Sequence, residues 1–260
     1  MARETPRLTI VIPAYQEEHR IGPTLSELAK YLANRSADEV EMIVVSGGST
    51  DGTVRVARQY EGKIAARLRV LDLPAAKGKG AAVRAGMREA TGEFILFTDA
   101  DLAYEPKLFD DFLEGLQSGA DIVIAKRTRA IEYAGLARRW VSTASHFLFK
   151  RLITPGIGDT QAGLKAFTHA AAKDLFSRQT IDGLIFDVEI LMLARRLQYR
   201  VEIVEVDWQD KPGSTIRLTR DSTRALFDLV KLCWRFRRGK YHKTSSSQTV
   251  IGRDSTPARR

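Results

Sequence analysis

The chain has 260 residues, 44% hydrophobic and 28% charged, which is enough for one large domain or two small ones with a real core. Forty-one Lys and Arg against 32 Asp and Glu leave a net charge of +9, so an anionic partner is expected: nucleic acid, a phosphorylated small molecule or an acidic membrane surface. The single cysteine, Cys233, excludes an internal disulfide and a cysteine-rich metal site.

The first apolar run, LTIVIP at residues 8–13, is too short for a signal peptide and ends at a proline, so it reads as a strand. EMIVVS (41–46), RLRVLDL (67–73), EFILFTD (93–99) and DIVIAK (121–126) share its successive β-branched and apolar positions, the pattern of strands covered on both faces. Helical patterns alternate with them at 21–35, 52–60, 78–90 and 106–117. The second of these starts behind Ser-Thr-Asp, and the last has Pro106 in its first turn. Such a βαβα rhythm predicts an α/β, doubly wound, mainly parallel sheet with right-handed crossovers over residues 5–130.

Beyond residue 129 the rhythm changes. A basic amphipathic helix is predicted at 135–153, a strand at GLKAFT, a helix at FDVEILMLARRL, a strand at RVEIVEVDW and a last helix at 222–238. Nothing resembles an interdomain linker, so residues 1–240 are expected to form one domain. The Ser/Thr-rich residues 244–260 have the composition of a disordered tail. No stretch reaches the roughly 18–20 apolar residues of a spanning helix, so membrane contact is expected to be peripheral.

Three motifs carry chemistry. Asp99 and Asp101 end an apolar strand one residue apart. Ligand crevices of open α/β sheets lie beyond the carboxyl ends of the strands. Paired carboxylates there suit Mg²⁺ or Mn²⁺ bridging a diphosphate, although a solvated turn with a helix cap would use the same residues. In KGKGAAVRAG (77–86), two lysines and two glycines open a helix that also carries Arg84; this is either an anion-binding helix start or simply a basic one. It is not a Walker loop. VVSGGSTDGT (44–53) supplies a tight turn, with Ser49 or Asp51 available to cap the next helix.

Taken in order, VIPAYQEE, GGSTDGT, KGKGAAVRAG, FTDADL, DTQAGLKAF, FDVEILMLA and VEVDWQDKPGS make the chain similar, over residues 7–238, to family 2 glycosyltransferases of GT-A fold. The resemblance is greatest to the dolichyl-phosphate glucosyltransferases and mannosyltransferases, and the last segments lean towards the glucosyl branch. It implies an inverting transfer of a hexose from a nucleotide-diphosphate sugar, UDP-glucose before GDP-mannose, to a polyprenyl phosphate. Residues 5–130 would bind the donor and 130–240 would face the acceptor and the membrane. Pro13, Tyr15 and Glu17 would border the base and ribose, with Ser46, Gly47, Lys77 and Arg84 nearby. Asp99 and Asp101 would hold Mg²⁺ or Mn²⁺. Asp159 and Gln161 would lie near the sugar diphosphate, and Asp187 and Glu189 would line the sugar side, with Asp99, Asp101, Asp159, Gln161 and Glu189 as the catalytic set.

The acceptor phosphate would fall to Lys126, Arg127, Arg129, Arg138 and Arg139, because Arg binds phosphate bidentately; a solvated basic face is the alternative. Helix 135–153 is expected in the membrane interface, with packing of its apolar stripe on the core as the alternative. Helix 222–238 is expected to pack on the core through Leu226, Leu229, Val230, Cys233 and Trp234, only its basic end reaching lipid. The implied location is the cytoplasmic face of a membrane. No nucleic-acid recognition motif is present, and a homo-oligomer is left open. Two departures stand out: Ser46-Gly47 replaces an acidic pair of the family, and Ala103 replaces a glutamine of the mannosyl branch. The competing readings are a soluble or glycan acceptor and a non-catalytic nucleotide-sugar-binding protein.

Overall fold

The structure, a computed structural model, describes residues 5–128, 162–206, 218–238 and 241. Seven strands form one sheet among these residues: β1 (Leu8–Ala14), β2 (Val40–Ser46), β3 (Arg67–Asp72), β4 (Phe94–Thr98), β5 (Ile122–Arg127), β6 (Leu164–Thr168) and β7 (Val201–Val206). Their order across the sheet is β3-β2-β1-β4-β6-β5-β7. β6 runs antiparallel to β4 and β5; every other pairing is parallel.

Seven helices accompany them among the described residues: α1 (Glu18–Leu32), α2 (Thr53–Arg58), α3 (Lys79–Glu89), α4 (Leu108–Gln117), α5 (His169–Arg178), α6 (Phe186–Arg196) and α7 (Leu218–Arg237). All predicted strands and helices within the described residues are present, with ends shifted by up to four residues. α5 was not anticipated; Thr168 caps it by accepting a hydrogen bond from the Ala171 amide at 3.3 Å. The predicted helix at 135–153, Asp159, Gln161, Arg129, Arg138, Arg139, the DWQDKPGS segment and the tail lie outside the described residues.

The sheet is covered on both faces because its strands are apolar on both. Leu8, Ile10 and Ile12 of β1 pack with Leu25 and Leu28 of α1 and Phe109 and Phe112 of α4. Val11, between them, points the other way into a second core with Val83 and Met87 of α3, Leu175 of α5, Phe186 of α6 and Leu229 and Leu232 of α7. β1, β2, β4 and β5 therefore release their carboxyl ends along one sheet edge. The antiparallel β6 enters there instead, so Leu164 pairs with Thr98 and brings Ala162 and Gly163 beside the end of β4.

Candidate active site

The turn that follows β4 carries the site. The Leu102 amide donates to the Asp99 carbonyl at 3.1 Å, and Leu102 adopts a left-handed φ of 48°, uncommon for a branched side chain. From α1, the Thr24 hydroxyl donates to the Ala100 carbonyl at 2.6 Å, fixing the peptide between the two aspartates. Asp99 lies flat against Gly163: a Cβ there would sit 2.1 Å from Asp99 Oδ2, so only glycine allows the approach.

The loops after β1 and β2 lock together in front of this turn. Gln16, with φ of 56°, accepts from the Thr50 amide at 2.8 Å and the Asp51 amide at 3.2 Å. Asp51 accepts from the Thr53 amide and from the Glu18 amide, so one carboxylate satisfies donors at the starts of both α2 and α1. Glu18 in turn accepts from the Gly52 amide at 3.0 Å.

Charge converges on the turn. Lys79, the first residue of α3, places Nζ 2.7 Å from Asp99 Oδ1. Burial alone would lower the Lys79 pKa, but Asp99, Asp187 and Asp101 together hold it above the ordinary lysine value. Arg20 pairs with Glu17 at 2.5 Å. Burial raises the Glu17 pKa, Arg20 opposes that, and Asp101 and Asp99 push it further up. Asp101 is raised by burial and then by the negative charge of Asp99. Among the described residues its Oδ1 is buried without a hydrogen-bond partner, as is the hydroxyl of Thr98 three residues earlier.

Beneath Asp99 lies a buried ion pair. Lys165 of β6 reaches Asp187 of α6 at 2.8 Å, and it also donates to the Ala162 carbonyl at 2.6 Å. Burial raises the Asp187 pKa, with Lys165 and Lys79 opposing.

A divalent cation fits this chemistry in one way. Among the described residues no group of three or more His, Cys, Asp or Glu side chains is placed to hold a metal alone. Two carboxylates, one with a buried and unpartnered oxygen, suit an ion whose remaining ligands come from a bound diphosphate and water.

The model of the family described as glycosyl transferase family 2 matches residues 9–176. The chain belongs to glycosyl transferase family 2. This family 2 glycosyltransferase is 33% identical over 256 residues to a dolichyl-phosphate beta-glucosyltransferase of Trichomonas vaginalis, covering 94% of the chain and 75% of the relative. It is 37% identical over 224 residues to the dolichyl-phosphate beta-glucosyltransferase of Drosophila melanogaster, covering 80% and 69%. Its fold matches glucosyl-3-phosphoglycerate synthase from Mycobacterium tuberculosis, solved in complex with Mn²⁺, uridine diphosphate and glucosyl-3-phosphoglycerate. That match has a TM-score of 0.65 at 20% identity, over 89% of this chain and 81% of the other. The fold is GT-A, as the resemblance implied.

In this glycosyltransferase the anticipated residues do not all converge. Pro13 is buried in β1, and Tyr15 stands 56% exposed at the same edge as Asp99. Ser46 is buried at the end of β2 and accepts from the Ser49 amide at 3.4 Å. Gly47 is roofed by the 74–77 loop: a Cβ would approach the Ala76 carbonyl to 2.9 Å, so an acidic side chain there would require that loop to shift. Lys77 is exposed, whereas Lys79, which the sequence did not single out, turns inward. Arg84 is held by Asp182 at 2.7 Å and Lys126 by Glu205 at 2.6 Å. Arg127 ends β5 at the shared edge.

Glu189 differs most from expectation. It is fully buried, with its carboxylate taken up by neighbouring donors. Its carboxylate accepts from the Thr180 and Ile181 amides and from the hydroxyls of Thr180 and Tyr241.

Proposed function

We propose that this glycosyltransferase moves glucose from UDP-glucose to a polyprenyl phosphate with inversion at the anomeric carbon. The observation that carries it is the buried, unpartnered Asp101 oxygen beside the Lys79–Asp99 pair, a site arranged to receive a cation and a diphosphate. The names of the relatives supply the sugar and the lipid phosphate.

Asp101 and Asp99 would hold Mg²⁺ or Mn²⁺, which when bound neutralises charge growing on the departing nucleotide. Lys79 adds a fixed positive charge at the same place, and Arg20 a second one. Tyr15 and the interlocked 16–18 and 47–52 loops would seat the nucleoside. The acceptor phosphate is already ionised near neutral pH, so it needs orientation and no general base; Arg127 stands at the appropriate edge. Attack opposite the leaving diphosphate converts an α-linked donor into a β-linked product.

No helix among the described residues is long and apolar enough to cross a membrane. Contact with a lipid acceptor would then use α7. Phe227, Val230 and Trp234, spaced three and four residues apart, are 76%, 62% and 46% exposed. Lys231, Arg237 and Arg238, in the second half of this helix and just past its end, are exposed as well. An apolar stripe edged by basic residues matches an anionic bilayer surface.

The test is a labelled donor panel, UDP-glucose, UDP-galactose and GDP-mannose, with polyprenyl phosphate and with soluble sugars, in Mg²⁺, Mn²⁺ or EDTA. Organic-phase label from UDP-glucose, lost in EDTA and β-linked by NMR, is expected. Label reaching only a soluble acceptor, or an α-linked product, overturns the proposal.

A further inference from the structure

Residues 179–183, between α5 and α6, are packed onto the start of α3. Gln179 Nε2 donates to the Gly80 carbonyl at 2.9 Å and to the Ile181 carbonyl at 2.7 Å. The Ala81 amide donates to the Asp182 carbonyl at 3.2 Å, and Arg84 pairs with Asp182. The approach is close because position 80 has no side chain: a Cβ there would lie 2.7 Å from both the Ile181 carbonyl and Phe186 Cβ. Lys79 is the residue immediately before this contact, and its ammonium reaches Asp99.

What holds the 179–183 segment in place is Glu189. Its carboxylate, with no exposed surface, takes the Ile181 amide at 2.8 Å, the Thr180 amide at 3.0 and 3.1 Å and the Thr180 hydroxyl at 2.7 Å, and it also takes the Tyr241 hydroxyl. Burial and this bond push the Tyr241 hydroxyl up to about 12, so it remains a donor. Arg235 of α7 donates to the Thr180 hydroxyl from outside. A carboxylate with all these donors has no oxygen left for substrate.

We propose that Glu189 is a positioning residue for the donor site. By clamping the Thr180 and Ile181 amides it presses residues 179–182 onto the first turn of α3, and that turn aims Lys79 at Asp99. The effect on donor binding rests on the nucleotide-sugar reading above. The mechanical link does not.

The experiment uses the full chain with Glu189→Gln, Tyr241→Phe and Lys79→Met, alone and combined. The carboxamide introduced by Glu189→Gln cannot accept from all four donors, because its nitrogen donates. Hydrogen–deuterium exchange of the ligand-free protein should then rise in residues 179–183 and in the first turn of α3, with β1 and α1 unchanged. UDP-glucose affinity should fall about tenfold, and by no further factor in the Lys79→Met background, because the two changes remove one interaction. Tyr241→Phe, which removes one donor of four, should show the same pattern weakly and serves if Glu189→Gln does not fold. Unchanged exchange in α3, or losses that multiply with Lys79→Met, overturns the proposal. A wild-type chain that binds no UDP-glucose would sink the functional reading, while the exchange result still decides the link.

Discussion

Lys79 and Asp99 stand 2.7 Å apart although they leave different elements, one opening α3 and the other following β4. An ammonium this close to the carboxylate pair moderates the repulsion between Asp99 and Asp101 and offers a permanent cation to a diphosphate. Lys79→Met removes both effects. Charge-assisted hydrogen bonds are worth about 1.5–3 kcal/mol, so kcat/KM for the nucleotide sugar should fall by roughly 10- to 100-fold. Lys79→Arg should retain part of it, and Lys77→Met, on the exposed lysine two residues away, should retain nearly all. Steady-state kinetics on the three variants check this ordering.

Asp101→Asn separates activity from stability. Burial and Asp99 raise the Asp101 pKa, so the ionised form costs the folded protein stability above that pKa and nothing once pH falls below the unfolded value. An asparagine removes the charge and the cost. In the absence of metal the melting temperature should rise or hold, while metal-dependent turnover should drop by about 10²–10³-fold. A variant with full turnover in Mg²⁺ or Mn²⁺ would refute the assignment of Asp101 to the cation.

Much of this was readable in the chain, for reasons that differ residue by residue. The place of Asp99 and Asp101 was legible because the apolar run FILFT before them reads as a strand, and both lie in the turn that follows β4; their part in holding a cation belongs to the proposal. Lys79 was not. In KGKGAAVRAG both lysines stand at the helix start, and only the packing of residues 179–183 on Gly80 decides which one turns inward. Glu189 was expected in the site because the resemblance implied that the FDVEI segment lines the sugar side. The donors that occupy it come from 8, 9 and 52 residues away, distances over which sequence spacing carries no information. The reversed direction of β6 was equally hidden, since a strand's apolar pattern is the same read from either end. In α7 both faces are apolar enough to be the packed one. Leu229 and Leu232 turn inward and Cys233 is half-buried, while Val230 and Trp234, expected in the core, are exposed.

The Lys165–Asp187 pair should behave as a buried ion pair does when one partner is lost. Lys165→Met leaves Asp187 buried without its nearest cation, and leaves the Ala162 carbonyl without its donor. The expected cost is about 3–5 kcal/mol of unfolding free energy. Lys165→Met combined with Asp187→Asn removes the stranded carboxyl and should recover much of it. Urea denaturation of the single and double variants measures both. Equal losses in the two would show that the ammonium's contact with Ala162, and not the pair, carries the stability.

Acid sensitivity should trace in part to Glu41. Burial would raise its pKa, but hydrogen bonds from the Thr91 amide, Thr9, Arg69 and the Thr91 hydroxyl more than offset this and hold it below the usual glutamate value. A depressed carboxyl pKa contributes stability that is fully present above the unfolded value, near 4.5, and is lost as pH falls through the folded one. Glu41→Gln should lose about 1–3 kcal/mol at pH 7 and show a flatter decline below pH ~4.5. Melting temperature against pH for the two proteins gives the comparison.

Membrane contact through α7 makes a prediction with two separable parts. The stripe Phe227, Val230 and Trp234 supplies apolar area, and Lys231, Arg237 and Arg238 supply charge. Arg238 lies 3.9 Å over the Trp234 ring, tying the two parts together at the helix end. Each Lys or Arg near an anionic surface contributes about 1 kcal/mol and fades with salt. The apolar part does not. Flotation with phosphatidylserine-containing vesicles should therefore weaken in salt for the wild type. It should fall strongly at every salt concentration when Phe227, Val230 and Trp234 are replaced by serine. Because Phe227 and Val230 are largely exposed and Trp234 about half so, the triple variant should keep most of the wild-type melting temperature, and its melt measured alongside separates loss of the surface from loss of the fold. Trp234 emission should shift to the blue on vesicle binding. Unshifted emission with flotation intact in the triple variant would move the lipid contact away from α7.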